Sequence, residues 1–427
     1  MPEIAPFRGY RYNPETVDLH AVVAPPYDVI SPELQARLYE KSPYNVVRLI
    51  LGREENRYAS AAEAFQQWQK EGVLRRDAKP ALYLLHQLFD GPEGSTVKRK
   101  GFVAVCRLEE FDKQIVLPHE KTLSEPREDR LKLFTATNSN FSQIFCLYSD
   151  PEKYIDRSLN GSAKSNPEID VTFEGVQNKL WPVTEESVIG DVRKVLSSKQ
   201  VLIADGHHRY ETALAFRDQV RSANPAHTGN EPYNFVMMFF TNVDDEGLAI
   251  YPTHRLVHSL TGFDAGRFLK KAGEYFIIRE FDDPASLLSA LESSSVPSFG
   301  LQLAGERVTR LLSLKPVRPA GEILQDTLPP EVRELDVTLL HFAILRDMLG
   351  ISMEAQEAKR NLEYVRDFSE ALNAVKSGKA QLAFLMNATK IQQVRSVARA
   401  GHTMPQKSTY FHPKLLSGLV LNRLDSW

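Results

Sequence analysis

Hydrophobic and polar positions change period several times along this chain, and each change predicts an element. Residues 81–89 and 101–108 are strand-like apolar runs joined by the turn-rich Asp90-Gly91-Pro92-Glu93-Gly94, which predicts a strand pair. Short strands are expected at 114–117, 143–148 and 201–204. Two more are expected at 234–243 and 248–251, around a hairpin turn at Asp244-Asp245-Glu246-Gly247. Helical spacing runs over 59–70, 126–136, 183–200 and 209–220, and in the last of these Ala213, Leu214 and Phe216 form the apolar face. Ser31-Pro32-Glu33 has the form of a helix start, with serine capping and proline at the first helical position. The first 30 residues are rich in proline, lack periodicity and read as an extended arm.

Beyond Leu260 helices and strands alternate. A long helix is expected over 334–348, then a helix over 367–376, a strand over 381–386 and a helix over 389–400, the last with the capping-box start Thr389-Lys390-Ile391-Gln392. The expected class is α+β or mixed α/β. A cut near 260 separates an N-terminal α+β domain (1–260) from a C-terminal α/β domain (261–427), and 427 residues suffice for two or three domains.

Composition narrows this picture. Apolar residues at 42% and charged residues at 25% belong to a folded chain, which sets disorder aside. A formal charge of -3 provides no basic excess to drive binding to nucleic acid or an anionic membrane. Cys106 and Cys146 each sit in an apolar stretch without CxxC spacing and read as buried reduced thiols. Nothing resembling a signal peptide or a membrane span is apparent, so the expected location is the cytoplasm. The expected partner is a small-molecule substrate, with no nucleic acid and no membrane.

The densest chemistry lies at Asp205-Gly206-His207-His208-Arg209, where a buried strand runs directly into a helix. A helix start leaves its first N–H groups without intrahelical acceptors, and the helix dipole places partial positive charge there, which favours an anion. Gly206 permits a sharp turn, Arg209 can fork onto phosphate oxygens, and His207 and His208 can donate hydrogen bonds or carry a proton. Asp205 can fix a histidine tautomer, bind Mg2+ or act as a base. The plain alternative is a solvated loop in which Asp205 only caps the helix.

ADGHHRYETAL (204–214) resembles the helix-start motif of the ParB/sulfiredoxin superfamily, in which the loop and helix bind nucleotide phosphates and the free-serine kinases carry an Asp-Gly-His-His-Arg form. The resemblance implies that Gly206, His208 and Arg209 touch phosphates in a ParB/sulfiredoxin-like phosphate-binding region. Over the whole chain, APPYDVIS (24–31), SPYNVVRL (42–49), LPHEKTL (117–123), ADGHHRYETAL and MPQKSTYFHPKLLSG (404–418) resemble an uncharacterised prokaryotic family, domain of unknown function 1015.

Three further groups are candidates. His119, Glu120, Lys121 and Thr122 stand at a second strand-to-helix junction, followed by Arg127 and Arg130. There Glu120 is a candidate base, and Lys121 or Arg130 can neutralise a transferring phosphoryl group; a surface charge run fits equally well. Lys407, Ser408, Thr409 and Lys414 lie in a donor-rich segment able to hold a phosphate or carboxylate. Asn45 and Arg48 read as capping and packed residues, His254-Arg255 as a remote lining pair, and His341 as a satisfied helix histidine.

These residues suit nucleotide-dependent phosphoryl transfer to a small hydroxylated metabolite, serine-like by the kinase resemblance, with ATP or ADP and Mg2+ as cofactors. No GxxxxGK[ST] loop is present, so the nucleotide would be held another way. Two alternatives stand beside this reading. One is a phosphatase in which His119, Glu120, Asp205, His207 and His208 hold a metal; the other is a ParB-like nucleotide-binding regulator.

Overall fold

Phe235–Asn242 is buried at every position, as a strand covered on both faces requires, and it lies inside a nine-stranded mixed sheet. The sheet runs Val116–Leu117, Val201–Asp205, Ile144–Tyr148, Phe235–Asn242, Thr96–Arg107, Leu82–Asp90, Val176–Val183, Ile169–Phe173, with Ile4–Ala5 added on Thr96–Arg107. Val201–Asp205 is parallel to Val116–Leu117, Phe235–Asn242 is parallel to Ile144–Tyr148, and the other pairings are antiparallel. The computed structural model describes all residues except 92–93, 121–123, 317–323, 325–327 and 425–427, and except the side chains of 124–126.

The chain forms two units. The first comprises Met1–Pro118, Thr122–Ala249 and Pro413–Trp427; the second comprises His119–Lys121 and Ile250–His412. In the first, Ala213, Leu214 and Phe216 of the helix His207–Ala223 join a core with Phe102, Ile144, Ile203 and Phe240, as the spacing requires. Fully burying each such large side chain contributes roughly 1.5–3 kcal/mol. Both thiols lie in this core, unpaired, and burial pushes Cys106 up to about 12. The proline-rich arm is laid on by short strands, Ile4–Ala5 against Thr96–Arg107 and Tyr10–Tyr12 against Leu74–Arg76. Ser31 Oγ accepts from Leu34 N–H at the start of Pro32–Lys41, so the cap read from the sequence forms.

The second unit has a six-stranded antiparallel sheet: Phe276–Phe281, Thr309–Leu314, Ser298–Leu303, Leu382–Leu385, His254–Val257, Leu362–Val365. Phe276, Phe299, Leu301, Phe384 and Ile344 share one core cluster.

Several elements differ from the sequence pattern. Of the segment expected with the C-terminal domain, residues 404–412 lie in the second unit, whereas Pro413–Trp427 lies in the first, where Leu421 bridges to Tyr10, Ser417 to Ala24 and Asn422 pairs with Asn140. The hairpin about Asp244–Gly247 does not form. Both edges of Phe235–Asn242 are already occupied, by Ile144–Tyr148 and Thr96–Arg107, and Ala249–Tyr251 pairs instead with Tyr410–His412. The long helix expected over 183–200 is shorter, Glu186–Leu196, and is preceded by two strands, Ile169–Phe173 and Val176–Val183. Glu174 and Gly175 both have positive φ between these strands, which is the turn geometry that follows their twist. The helix expected over 334–348 is α-helical only over Asp336–Leu339, and Leu340–Met348 is wound as a π-helix.

Candidate functional site

The strand Val201–Asp205 ends in a register shift between Ile203 and Asp205, which turns the Asp205 side chain out of the regular ladder. Gly206 follows at φ 97 and begins the helix His207–Ala223 without a side-chain cap. Glycine is required twice here: the backbone is left-handed, and a Cβ would stand 2.9 Å from both Nε and Nη2 of Arg209. Arg209 Nη2 donates to Asp205 Oδ2 at 2.8 Å, and Lys414 Nζ donates to Asp205 Oδ1 at 2.5 Å. Arg209 Nη1 donates to the Gln143 carbonyl, which ties the helix start to the neighbouring strand. The side chains of Arg209, Asp205 and Lys414 are 8%, 18% and 13% exposed, so this is a partly desolvated triad rather than a surface ion pair.

A buried polar network positions the lysine. Arg99 donates through Nη2 to the Pro413 carbonyl at 2.6 Å, and Gln87 Nε2 donates to the Lys414 carbonyl at 3.4 Å. Gln87 Oε1 accepts from Arg99 Nε at 3.0 Å, and Gln87 Nε2 also donates to Asn178 Oδ1 at 2.8 Å. The Arg99 guanidinium lies 4.5 Å from the Phe145 ring centroid. Burial lowers its pKa to about 9, opposed by the negative charge of Asp205. The backbone on both sides of Lys414 is thereby fixed, and its ammonium is brought to Asp205.

Other residues singled out from the sequence have more local roles. His207 is buried in the first turn of the helix and His208 is half-buried. Arg130 donates to the Ile50 carbonyl at 2.7 Å and to Asp129, and its guanidinium covers the Tyr27 ring at 4.0 Å. Arg127 pairs with Glu211 at 3.6 Å. Asn45 Oδ1 accepts from Val47 N–H, and Arg48 packs over Tyr39, as the plain reading of both had it. Lys121 and Thr122 lie outside the described residues. Gln143, Arg99 and Tyr27 were missed. Only Tyr27 carried a sequence signal, inside APPYDVIS, whereas a Gln in a strand gives none and an Arg between Lys98 and Lys100 reads as part of a solvated charge run.

The second unit gathers its own set. His119 is fully buried, with Nε2 2.9 Å from Thr409 Oγ1, and its carbonyl accepts from Met404 N–H at 2.8 Å. Lys407 adopts φ 56, a left-handed backbone that a non-glycine residue keeps only when held. Glu120 Oε1 accepts its N–H at 3.0 Å, and Arg255 Nη2 donates to its carbonyl at 3.0 Å. Ser408 Oγ donates to the Pro405 carbonyl, and the Ser408 carbonyl accepts from Thr389 Oγ1 at 2.6 Å. Arg255 is fully buried; burial lowers its pKa to about 10, with Tyr364 and Glu120 opposing. Three charged loops were read from the sequence. Asp205, Arg209 and Lys414 meet in the first unit, and His119, Glu120, Lys407 and Thr409 meet in the second.

Among the described residues no three His, Cys, Asp or Glu side chains gather as a metal site needs, and no helix is long and apolar enough to cross a membrane. Both Asp205 oxygens face cations, an arrangement that does not fit a protein-held divalent ion.

A family model described as "Protein of unknown function (DUF1015)" matches residues 4–338, most of the chain. The chain belongs to the DUF1015 family. No curated protein matches this DUF1015 chain. Among solved structures it is similar to a conserved hypothetical protein from Pyrococcus furiosus, at 15% identity and TM-score 0.33, over 71% of this chain and 88% of that one. It is also similar to a free serine kinase in complex with AMP, at 15% identity and TM-score 0.34, over 71% and 85%. A third similarity is to SbnI with C-terminal truncation from Staphylococcus aureus, at 8% identity and TM-score 0.35, over 74% and 85%.

Proposed function

We propose that this DUF1015 protein binds a nucleotide by its phosphates at the start of the helix His207–Ala223 and transfers a phosphoryl group to a small hydroxylated metabolite. The observation that supports this is a 17-residue helix that begins at Gly206 without a side-chain cap, with two cations brought to the same point. Helix-start N–H groups and the dipole favour anionic oxygens, and Arg209 and Lys414 add full positive charges that a phosphate can share with Asp205. Phosphoryl transfer asks mainly for positioning and charge stabilisation, which such a site supplies without a reactive nucleophile.

Within this reading Asp205 holds Arg209 and Lys414 in place, since each of its oxygens accepts from one of them. Gly206 allows the close approach, while His207 and His208 are the proton-bearing groups of the first turn. Asp205 is the candidate base of this site, and Asp205→Asn tests that role by its effect on turnover. Mg2+ enters only with the nucleotide's own phosphates, and no step is assigned to it. A serine-like acceptor is the narrowest form of the proposal, after the free serine kinase likeness. The metal-assisted phosphatase and the nucleotide-binding regulator have no comparable observation behind them.

The test is a thermal-shift and calorimetric screen of the protein with Mg2+ and ATP, ADP, phosphoserine, serine or inorganic phosphate. Ligand at about 100 times its dissociation constant adds about 2.7 kcal/mol. A shift with nucleotide that is lost in Arg209→Ala, and only partly kept in Arg209→Lys, is expected. No shift with any phosphate-bearing ligand would sink the reading. A shift with phosphoserine alone would point to a phosphatase.

A further inference from the structure

Successive side chains of a strand point to opposite faces of its sheet. Three adjacent strands of the first unit, Thr96–Arg107, Leu82–Asp90 and Val176–Val183, use one face to hold the backbone beside Lys414, through Arg99 and Gln87 with Asn178 behind them. The neighbouring residues Lys98, Lys100, His86 and Lys179 therefore share the opposite face. His86 stands opposite Lys100 on one side and Lys179 on the other, and Lys98 lies two positions from Lys100. The next residues along this face, Leu84, Phe102 and Trp181, belong to the core, so the charged group sits where the core ends.

His86 is 4% exposed and meets the Trp181 ring edge-on at 5.0 Å. Among the described residues neither of its ring nitrogens makes a hydrogen bond, and neither is sealed from solvent. Burial first, and then Lys98, Lys100 and Lys179, lower its pKa to about 3, so the imidazole is neutral and offers one N–H. Every charge acting on it is a cation. The lysines themselves are poorly matched. Among the described residues Lys98 and Lys100 make no hydrogen bond or ion pair, and Lys179 has Asp170 at 3.7 Å. Lys100 acts on Asp156 without pairing with it. Burial and then the other two lysines lower the Lys98 pKa, with Asp245 the weaker, opposing influence; Asp245 is paired with Lys153 at 3.6 Å.

We infer that this face is a second anion site, for a small oxyanion of at least two negative charges, held by Lys98, Lys100 and Lys179 over the His86 N–H. Two unpaired ammonium groups call for two negative charges, and an anion between them turns mutual repulsion into attraction. Lys100 and Lys179 leave strands two spacings apart, roughly 10 Å, and their flexible stems can close on a compact ligand above the imidazole. The sheet lies between this face and the Asp205 cluster, so the inference stands or falls without the phosphate reading.

The experiment uses full-length protein with ring-labelled histidine, the His86 signal being assigned by its loss in His86→Gln. The protein is titrated with pyrophosphate and with citrate at fixed ionic strength. A saturable shift of the His86 ring is expected with at least one of them, and it should persist in folded Arg209→Ala, which disables the other anion site. A response to pyrophosphate alone marks a phosphate ligand, and a response to citrate alone marks a carboxylate one. Lys100→Gln and Lys179→Gln should each weaken that binding roughly tenfold, and Lys100→Arg should retain it. A stationary His86 signal, an equal response to sodium chloride, a shift lost in folded Arg209→Ala, or binding unchanged in both glutamine variants would each overturn the inference.

Discussion

The two charged clusters use similar residues to different ends. In the first unit the partners of Asp205 are themselves charged, Arg209 and Lys414, and they meet at a helix start. In the second unit Glu120 accepts from Lys407 N–H, and Arg255 donates to the carbonyls of Thr253 and Lys407, so both hold main chain. Side-chain ion pairs can be shared with an incoming anion at little structural cost. A charge tied to main chain fixes a loop, and moving it breaks the loop. The same inventory of Arg, Lys and carboxylate can thus mark a binding site or a frame, and what the charges face decides which.

The largest expected effect falls on the frame. Arg255→Ala leaves the Lys407 and Thr253 carbonyls and His341 Nε2 without their donor, and a loss of about 3–5 kcal/mol in urea unfolding is expected. A loss below about 1 kcal/mol would show that this charge is not what holds Lys407. At the site, by contrast, Arg209→Ala should weaken phosphate or nucleotide binding roughly 100-fold by calorimetry, about 2.7 kcal/mol, while the fold is kept. A protein that unfolds instead would make Arg209 a second frame.

Acid should also weaken the second cluster. Burial, and then Arg255, lower the pKa of His254 to about 4 and of His341 to about 3. The unfolded chain takes up these protons near pH 6.5 and the folded chain does not. The stabilisation is therefore complete above pH 6.5 and is lost as pH falls from there toward 4 and 3, at about 1.4 kcal/mol per pH unit for each histidine. Unfolding free energies of the protein and of His341→Met, compared between pH 7 and 5, should converge as the pH falls; parallel curves would refute the assignment.

Two smaller effects sharpen the site itself. Gly206→Ala should cost about 1–2 kcal/mol from the left-handed backbone and displace Arg209, seen as a lower melting temperature together with weaker anion binding. The last is a cycle. Arg99→Lys keeps a charge but loses the fork that holds both Gln87 and Pro413. If Arg99 acts through Lys414, the binding losses of Arg99→Lys and Lys414→Ala should fall short of additivity by about 1 kcal/mol. Additive losses would leave Arg99 a packing residue only.

Much of this architecture could be read before any coordinates. Strand and helix periods placed Val201–Asp205 to within one residue and His207–Ala223 to within three at each end, and the apolar face of that helix packs as its spacing demands. Ser31 could be read as a cap because capping is decided within four residues. The hairpin about Asp244–Gly247 misled because a good turn sequence says nothing about whether the neighbouring strand still has an open edge. Lys414 was noted only as a donor in a tail. Nothing local links it to a carboxylate 209 positions earlier.

By itself the sequence determined many of the local elements, the abrupt strand-to-helix junction at Asp205-Gly206-His207 and the absence of a phosphate loop, because period, capping and backbone freedom act over a few residues. Only the tertiary structure decided that Lys414 and Arg209 share Asp205, that His119 and Glu120 belong with Lys407 and Thr409, and that Lys100 and Lys179 flank His86. Those are choices of partner across space, fixed by which edges and charges remain unpaired after the sheets have formed, and no window of sequence contains both sides of them.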